Sequence, residues 1–258
     1  MSALERVRAE TVAAWHAFVR RRTAVFFTFL FPVILIVIFG ALVGTDPTGE
    51  GLFGEEPAYY VPGYLAVVVL FTPLSRLGSE VARHREGSRF EKLATTPLSR
   101  GEWLLAQTVV NTVVVALAAA VILVLVVALT GASIQPSPLL VPYVLLGVAC
   151  FCGIGAVLGS VTDSRDGAVA ASNAIGLPLL FLSETFVPLT DLPGWFEPVV
   201  ALSPLTYFAR GVRGATAPEA YSHATVLGLE PAVGNLVVLG LLAVPAVAVG
   251  AWSIPRTD

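Results

Sequence analysis

The residues able to do chemistry are few, and their spacing removes most of the chemistry they could do. The single lysine, Lys92, sits in Phe90-Glu91-Lys92-Leu93, with no glycine before it and no Ser or Thr after it. A phosphate-binding loop needs Gly-x-x-x-x-Gly-Lys-Ser/Thr, in which glycine backbone cradles the phosphates and the lysine reaches the terminal ones. Lys92 cannot serve such a loop, so any nucleotide energy must come from another polypeptide. His16, His84 and His223 have no partners at ligand spacing, and no His-Glu-x-x-His occurs, which leaves no zinc site. Cys150 and Cys152, two apart on an expected helix, point to different faces and read as small buried side chains. Glu184 is the one ionisable residue well inside an apolar stretch. A hydrolase at that depth would need a base or second carboxylate beside it, and the candidates are missing. The chain is therefore not expected to be an enzyme or to hold a cofactor.

The elements that carry these residues are set by the bilayer. Trp103 to Thr162 is sixty residues without a charged side chain. As one straight helix it would be about 90 Å long, roughly three times a bilayer's hydrocarbon core. It must turn once, and the turn chemistry lies at Thr130-Gly131-Ala132-Ser133-Ile134-Gln135-Pro136. Hydrophobic residues make up 56% of the 258 positions and charged residues 13%, about half the share of a soluble domain. The fold class expected is an all-α membrane protein of six spans, near 24–44, 58–77, 103–130, 139–161, 168–187 and 232–253. Trp195 to Tyr207 is too short to cross and reads as a re-entrant or interfacial segment. Residues 1–22 repeat Leu4, Val7, Thr11, Trp15 and Phe18 at helical spacing, which suits a helix in the inner interface or a plain lead-in held by Arg20, Arg21 and Arg22.

Basic residues orient the spans, because Lys and Arg are retained on the cytoplasmic side of short loops. Thirteen of the fifteen fall on one side under this arrangement; Arg210 and Arg213 fall on the other, among acidic loops. Both termini are then cytoplasmic. A net charge of -3 argues against a nucleic-acid partner.

The loop between spans two and three has helix punctuation. Gly87 stops the incoming helix, and Ser88-Arg89-Phe90-Glu91 has the form of a capping box, a Ser cap with Glu three residues on. The helix it opens can run only to about Thr95, because Thr96 precedes Pro97. Ser99-Arg100-Gly101-Glu102 repeats the box and opens the third span. A helix this short needs a surface to pack on. Phe90, Leu93 and Ala94 form its apolar face, which lies either on the protein's own surface or in a groove of a cytoplasmic partner. In span four the Gly155/Gly159 pair has small-xxx-small spacing for close helix approach. In span five Asn173 and Pro178 are expected to face protein. Glu184 stands about 25 Å along that helix, near the outer edge of the core. There it is a polar point on a substrate's path, together with Asn173, or a carboxylate snorkelling at the interface.

The loop from Ser88 to Glu102, with Leu182-Ser183-Glu184-Thr185-Phe186-Val187-Pro188, Leu192-Pro193-Gly194-Trp195, Ser203-Pro204-Leu205-Thr206-Tyr207 and Arg213, closely resembles the ABC-2 type transporter permease family. The family's glycine after the Leu-Ser pair is replaced here by Glu184. The resemblance implies a six-helix permease in the cell membrane that pairs with an identical or second permease and works with a separate ATP-binding subunit, which holds the ATP and Mg. It implies that Arg89 to Thr95 is the coupling helix, with Arg89, Phe90, Glu91, Leu93 and Pro97 meeting the ATPase, that residues 1–22 are the interfacial helix, and that Pro188 to Tyr207 form an outer re-entrant hairpin. It further implies an exporter. An ion-coupled transporter or channel without an ATPase is the alternative, disfavoured because ion coupling usually leaves several ionisable residues at membrane depth.

Overall fold

The computed structural model describes residues 2–38, 57–135, 137–186, 194–216 and 226–255. Ten α-helices occur among them: α1 (Ala3–Val19), α2 (Arg22–Ile36), α3 (Val61–Glu86), α4 (Arg89–Ala94), α5 (Arg100–Thr130), α6 (Leu140–Val161), α7 (Arg165–Phe181), α8 (Glu197–Leu202), α9 (Pro204–Thr216) and α10 (Pro231–Ser253). Their only β feature is an isolated bridge between Val226 and Leu229. Four helical segments among the described residues, Ala58–Glu86, Arg100–Thr130, Leu140–Val161 and Pro231–Ser253, are long and apolar enough to cross a membrane. This is a multi-pass membrane protein. The other two expected spans meet shorter helices. In the first, Val25–Ile36 is apolar and residues 39–44 lie outside the described set. In the fifth, α7 ends at Phe181, short of the 187 expected, and turns follow.

The central packing runs through α6, which lies between α3 and α10. Gly155 and Gly159 face α3: a methyl group on Gly159 would sit 2.3 Å from the Gly78 carbonyl oxygen, and one on Gly155 would sit 2.7 Å from the Leu74 oxygen. Gly153 faces the other way, where a methyl group would sit 2.3 Å from the Ala246 oxygen, and one on Gly250 of α10 would sit 2.6 Å from the Gly153 oxygen. In lipid, apolar side chains gain nothing by leaving the solvent for a neighbouring helix, so close backbone approach supplies the attraction. The small-residue spacing thus packs as expected, with a second contact on the opposite face.

α5 opens on the capping box expected at Ser99. Its hydroxyl accepts from the Glu102 N–H at 3.2 Å, and the Glu102 carboxylate accepts from the Ser99 N–H at 2.8 Å. The helix ends at Gly131 in the left-handed region, φ 67. Its 31 residues span about 46 Å and the 26 of α3 about 39 Å, so both overrun a core of roughly 30 Å. α4 connects the end of α3 to the start of α5.

The structure departs from the sequence reading at three places, the Ser88 box, Leu4 and the two arginines of α9. The box expected at Ser88 does not form: Ser88 takes the left-handed conformation itself, φ 47, and its side chain makes no cap bond, because the chain reversal occurs there and not at Gly87. α1 packs lengthwise on α5, with Arg6 at Glu102, Glu10 at Gln107, and Ala14 and Phe18 on Val110 and Val114. Leu4, counted on its apolar face, is 80% exposed. Asn173 and Pro178 lie on the face of α7 left exposed in the single chain, because α7 buries Ala168, Ser172, Gly176 and Leu180 at four-residue spacing. Arg210 and Arg213, expected in a loop, lie on α9, which packs on α3, α6 and α10.

The glycine contacts set a test. Gly159→Val should destabilise the protein at the top of the roughly 1–3 kcal/mol range for overpacking, since backbone cannot move aside. Gly101→Ala, with open space around it, should be neutral or slightly stabilising. Thermal unfolding of the detergent-solubilised protein, followed by size-exclusion chromatography, compares the two.

Candidate functional site

α4 is seated by aromatic packing. Phe90 is 8% exposed, its ring centroid 5.2 Å from His84 of α3 and 5.4 Å from Trp103 of α5, with His84 and Trp103 5.3 Å apart. Leu93 is half-buried beside them. Within this face Phe90 packs on the protein's own surface, while Ala94 is exposed. Arg89, Glu91, Lys92, Thr95, Thr96 and Pro97 remain exposed, so what α4 presents outward is a mostly polar ridge. Thr95 and Thr96 donate their hydroxyls back to the Lys92 and Leu93 carbonyls at 2.8 and 2.7 Å, closing the short helix. Arg100, at the start of α5, donates to the carbonyl oxygens of Trp252, at 3.0 Å, and Ile254, which ties the end of α10 to the same corner.

Behind the aromatic seat lies a belt of buried polar groups. The Glu80 carboxylate accepts from Arg21 at 3.1 Å and from Arg83, and His84 Nδ1 meets the Glu80 carbonyl at 2.8 Å. Arg76 donates to Asn111 Oδ1 at 3.0 Å and lies over the Phe18 ring, 4.8 Å from its centroid. Asn111 donates to the Gln107 carbonyl at 2.9 Å, and Gln107 donates to Glu10 at 3.3 Å. Arg6 and Glu102 pair at 2.5 Å. Buried and half-buried polar groups must find partners in low dielectric, and these link α1, the elbow before α2, α3 and α5. Burial holds the Glu10 carboxyl above its usual range, a shift opposed by the Gln107 hydrogen bond and reinforced by nearby Glu80. The belt was missed in the sequence, although two polar pairs at i, i+4, Arg76/Glu80 and Gln107/Asn111, mark matching stripes on two helices.

The second cluster lies after the end of α7. Glu184 is 7% exposed, its carboxylate accepts from Arg210 Nε, and its backbone carbonyl accepts from Arg213 Nη2 at 2.9 Å. Arg213 is 1% exposed, with its guanidinium 4.0 Å from the Tyr59 ring centroid. Glu184 is therefore an internal ion-pair member and not a snorkelling carboxylate. Asn173, eleven residues earlier and on the exposed face of α7, is not brought to it. Residues 187–193, including the start of the expected hairpin, lie outside the described residues. Among the described residues no group of His, Cys, Asp and Glu could hold a metal ion.

Two outcomes follow from these geometries. Glu184→Gln and Arg210→Gln should each destabilise the protein, and the double variant should cost less than their sum, with a coupling of about 0.5–3 kcal/mol in a double-mutant cycle of thermal unfolding. Glu10, whose folded pKa is raised, binds its proton more tightly folded than unfolded, so its charge costs stability as pH rises through the folded pKa. Glu10→Gln should then raise the unfolding temperature at neutral pH and lose that advantage below the ordinary carboxyl range; an equal gain at pH 4 and pH 8 would contradict the assignment.

Residues 5–216, more than three quarters of the chain, match the family model described as ABC-2 type transporter. A curated protein of Porphyra purpurea, the provisionally named transport permease ycf38, is 23% identical over 187 residues, 70% of this chain and 64% of the relative. The match therefore spans less than two thirds of that relative's length. With its apolar crossing helices and a family match covering the seated α4 corner and the Glu184 cluster alike, the chain belongs to the ABC-2 type transporter family.

Proposed function

We propose that this chain is the membrane-spanning permease subunit of an ATP-driven exporter, with six spans and both termini in the cytoplasm of a cell-membrane transporter. The observation that carries the reading is the α4 corner. A six-residue helix is too short to hold its own structure in water, yet this one is anchored from behind by Phe90 and left polar and exposed in front. That is the form of a rigid lever for a partner to push. Thirteen basic residues on its side of the membrane favour a cytoplasmic partner, and the missing phosphate-binding loop makes a separate ATPase with its ATP and Mg the natural one.

In this reading the ATPase contacts Arg89, Glu91, Lys92 and Pro97. Phe90 and Leu93 act indirectly, by transmitting the push through His84 and Trp103 to α3 and α5. The exposed face of α7, with Asn173 among Ile175, Leu177 and Phe181, is where a second permease, identical or paired, closes a substrate path. An asparagine left against lipid would lack hydrogen-bond partners. Residues 194–216 belong to the outer side and the re-entrant hairpin, with Glu184 and Arg210 at its base. The ion pair supports the exporter over ion coupling, since Glu184 is already neutralised by Arg210.

The test is co-purification. The tagged chain, extracted gently from its native membrane, should carry a P-loop ATPase at one-to-one stoichiometry by mass spectrometry, with ATP hydrolysis in the preparation. Glu91→Arg with Lys92→Glu should release that ATPase at least tenfold while the unfolding temperature is unchanged, a loss of about 1.4 kcal/mol or more in association. Active transport by a preparation without an ATPase would overturn the reading.

A further inference from the structure

Where α1 gives way to α2, an apolar groove of about 430 Å³ opens between this elbow and α5. That volume is in the roughly 300–1,000 Å³ range of small-molecule sites. Trp15, Phe18, Val25, Phe29 and Leu117 line it, and Arg22 stands at its rim. The arginines of the elbow are not equivalent. Arg21 is engaged by Glu80, whereas Arg20 and Arg22 are exposed and pair with no carboxylate among the described residues. The elbow therefore combines a greasy slot, with Arg22 among its lining residues, and a second uncompensated cation, Arg20, two positions before it. Its depth along α5 matches the level where the polar belt ends: Gln107 and Asn111 lie about one to three turns below Val114 and Leu117, and above Leu117 the helix is apolar to Leu129.

We infer that this groove is a binding site for an anionic phospholipid of the inner leaflet, its phosphate on Arg20 and Arg22 and an acyl chain along Phe18, Val25, Phe29 and Leu117. Charge complementarity selects this occupant. A zwitterionic lipid brings its own cation to the arginines, a soluble anion gains nothing from the apolar lining, and a helix of a second copy would bury the two guanidinium groups without partners. Basic pockets at the cytoplasmic ends of membrane helices hold anionic headgroups for the same reason. The lipid would brace α1 against α5 and so stiffen the belt behind α4. The inference rests on the proposed cytoplasmic placement of the elbow.

Native mass spectrometry of the full-length protein in detergent, after delipidation, tests it with added phosphatidylglycerol or phosphatidylcholine of identical chains. One phosphatidylglycerol per chain should survive activation that strips phosphatidylcholine, and its retention should fall as ionic strength rises. Each arginine near an anionic surface contributes a factor of about five in affinity, so Arg20→Gln with Arg22→Gln should weaken retention roughly 25-fold. Val25→Trp, which fills the slot and keeps both arginines, should abolish the preference; circular dichroism checks that each variant is folded. Glycerol 1-phosphate, the headgroup alone, should not displace the lipid. Equal retention of the two lipids, salt-independent retention, unchanged binding by Val25→Trp, or displacement by glycerol 1-phosphate would each overturn the inference. None of these readouts depends on the ATPase, so failure to co-purify one would count against the transport reading alone.

Discussion

Helix backbones in contact hold this molecule together. At Gly159 and Gly153 the α6 backbone lies so near the carbonyls of α3 and α10 that no side chain fits between them. In water such an interface would be driven by burying apolar surface, but the bilayer removes that driving force, and dispersion between closely packed backbones takes its place. The contact has two faces on one helix, so α3, α6 and α10 form a unit on which the other spans lean. α7 joins it through Gly176, against which the Phe71 ring packs, and α9 joins it along Leu205, Phe208 and Val212.

Both polar clusters depend on that unit. α3 is long enough to present Arg76, Glu80 and His84 beyond the apolar core, and its packing against α5 brings Gln107 and Asn111 opposite them. Groups that would be costly alone become mutually satisfied, and the cost of separating them ties α1 to the same end. At the other cluster the two arginines of α9 hold Glu184 by its carboxylate and its backbone carbonyl. Under the proposed transport reading, one end must loosen without the protein unfolding. Ion pairs serve that purpose better than the glycine contacts, because they can exchange partners with water while close backbone packing cannot.

Much of this was legible in the chain. The spans declare themselves because a charge-free run leaves the bilayer as the only compatible solvent, and the second capping box declares itself because its hydrogen bonds are local. The first box was misread for a local reason too: two consecutive residues, Gly87 and Ser88, could each take the turn, and the geometry of the exit from α3 assigned the left-handed conformation to Ser88. Phe90 was legible as apolar but not as inward, since the helix that seats it is formed by residues on both sides of the loop. Which stripe of α7 packs on α3 was not legible, because one step along the helix rotates a side chain by about 100° and no pattern short of that contact selects Ser172 over Asn173.

What the sequence determined by itself was therefore the solvent, the approximate ends of most helices and the lack of a Gly-x-x-x-x-Gly-Lys-Ser/Thr motif, all properties of composition and of neighbours a few residues apart. Only the tertiary structure decided that α4 shows its polar side, that Glu184 is held by two arginines, and that polar groups form a belt linking three helices and the elbow between α1 and α2. Those outcomes join residues up to 97 positions apart, as Glu10 and Gln107 show. Pairing at that separation depends on how helices stack, which side-chain chemistry along a single helix does not encode.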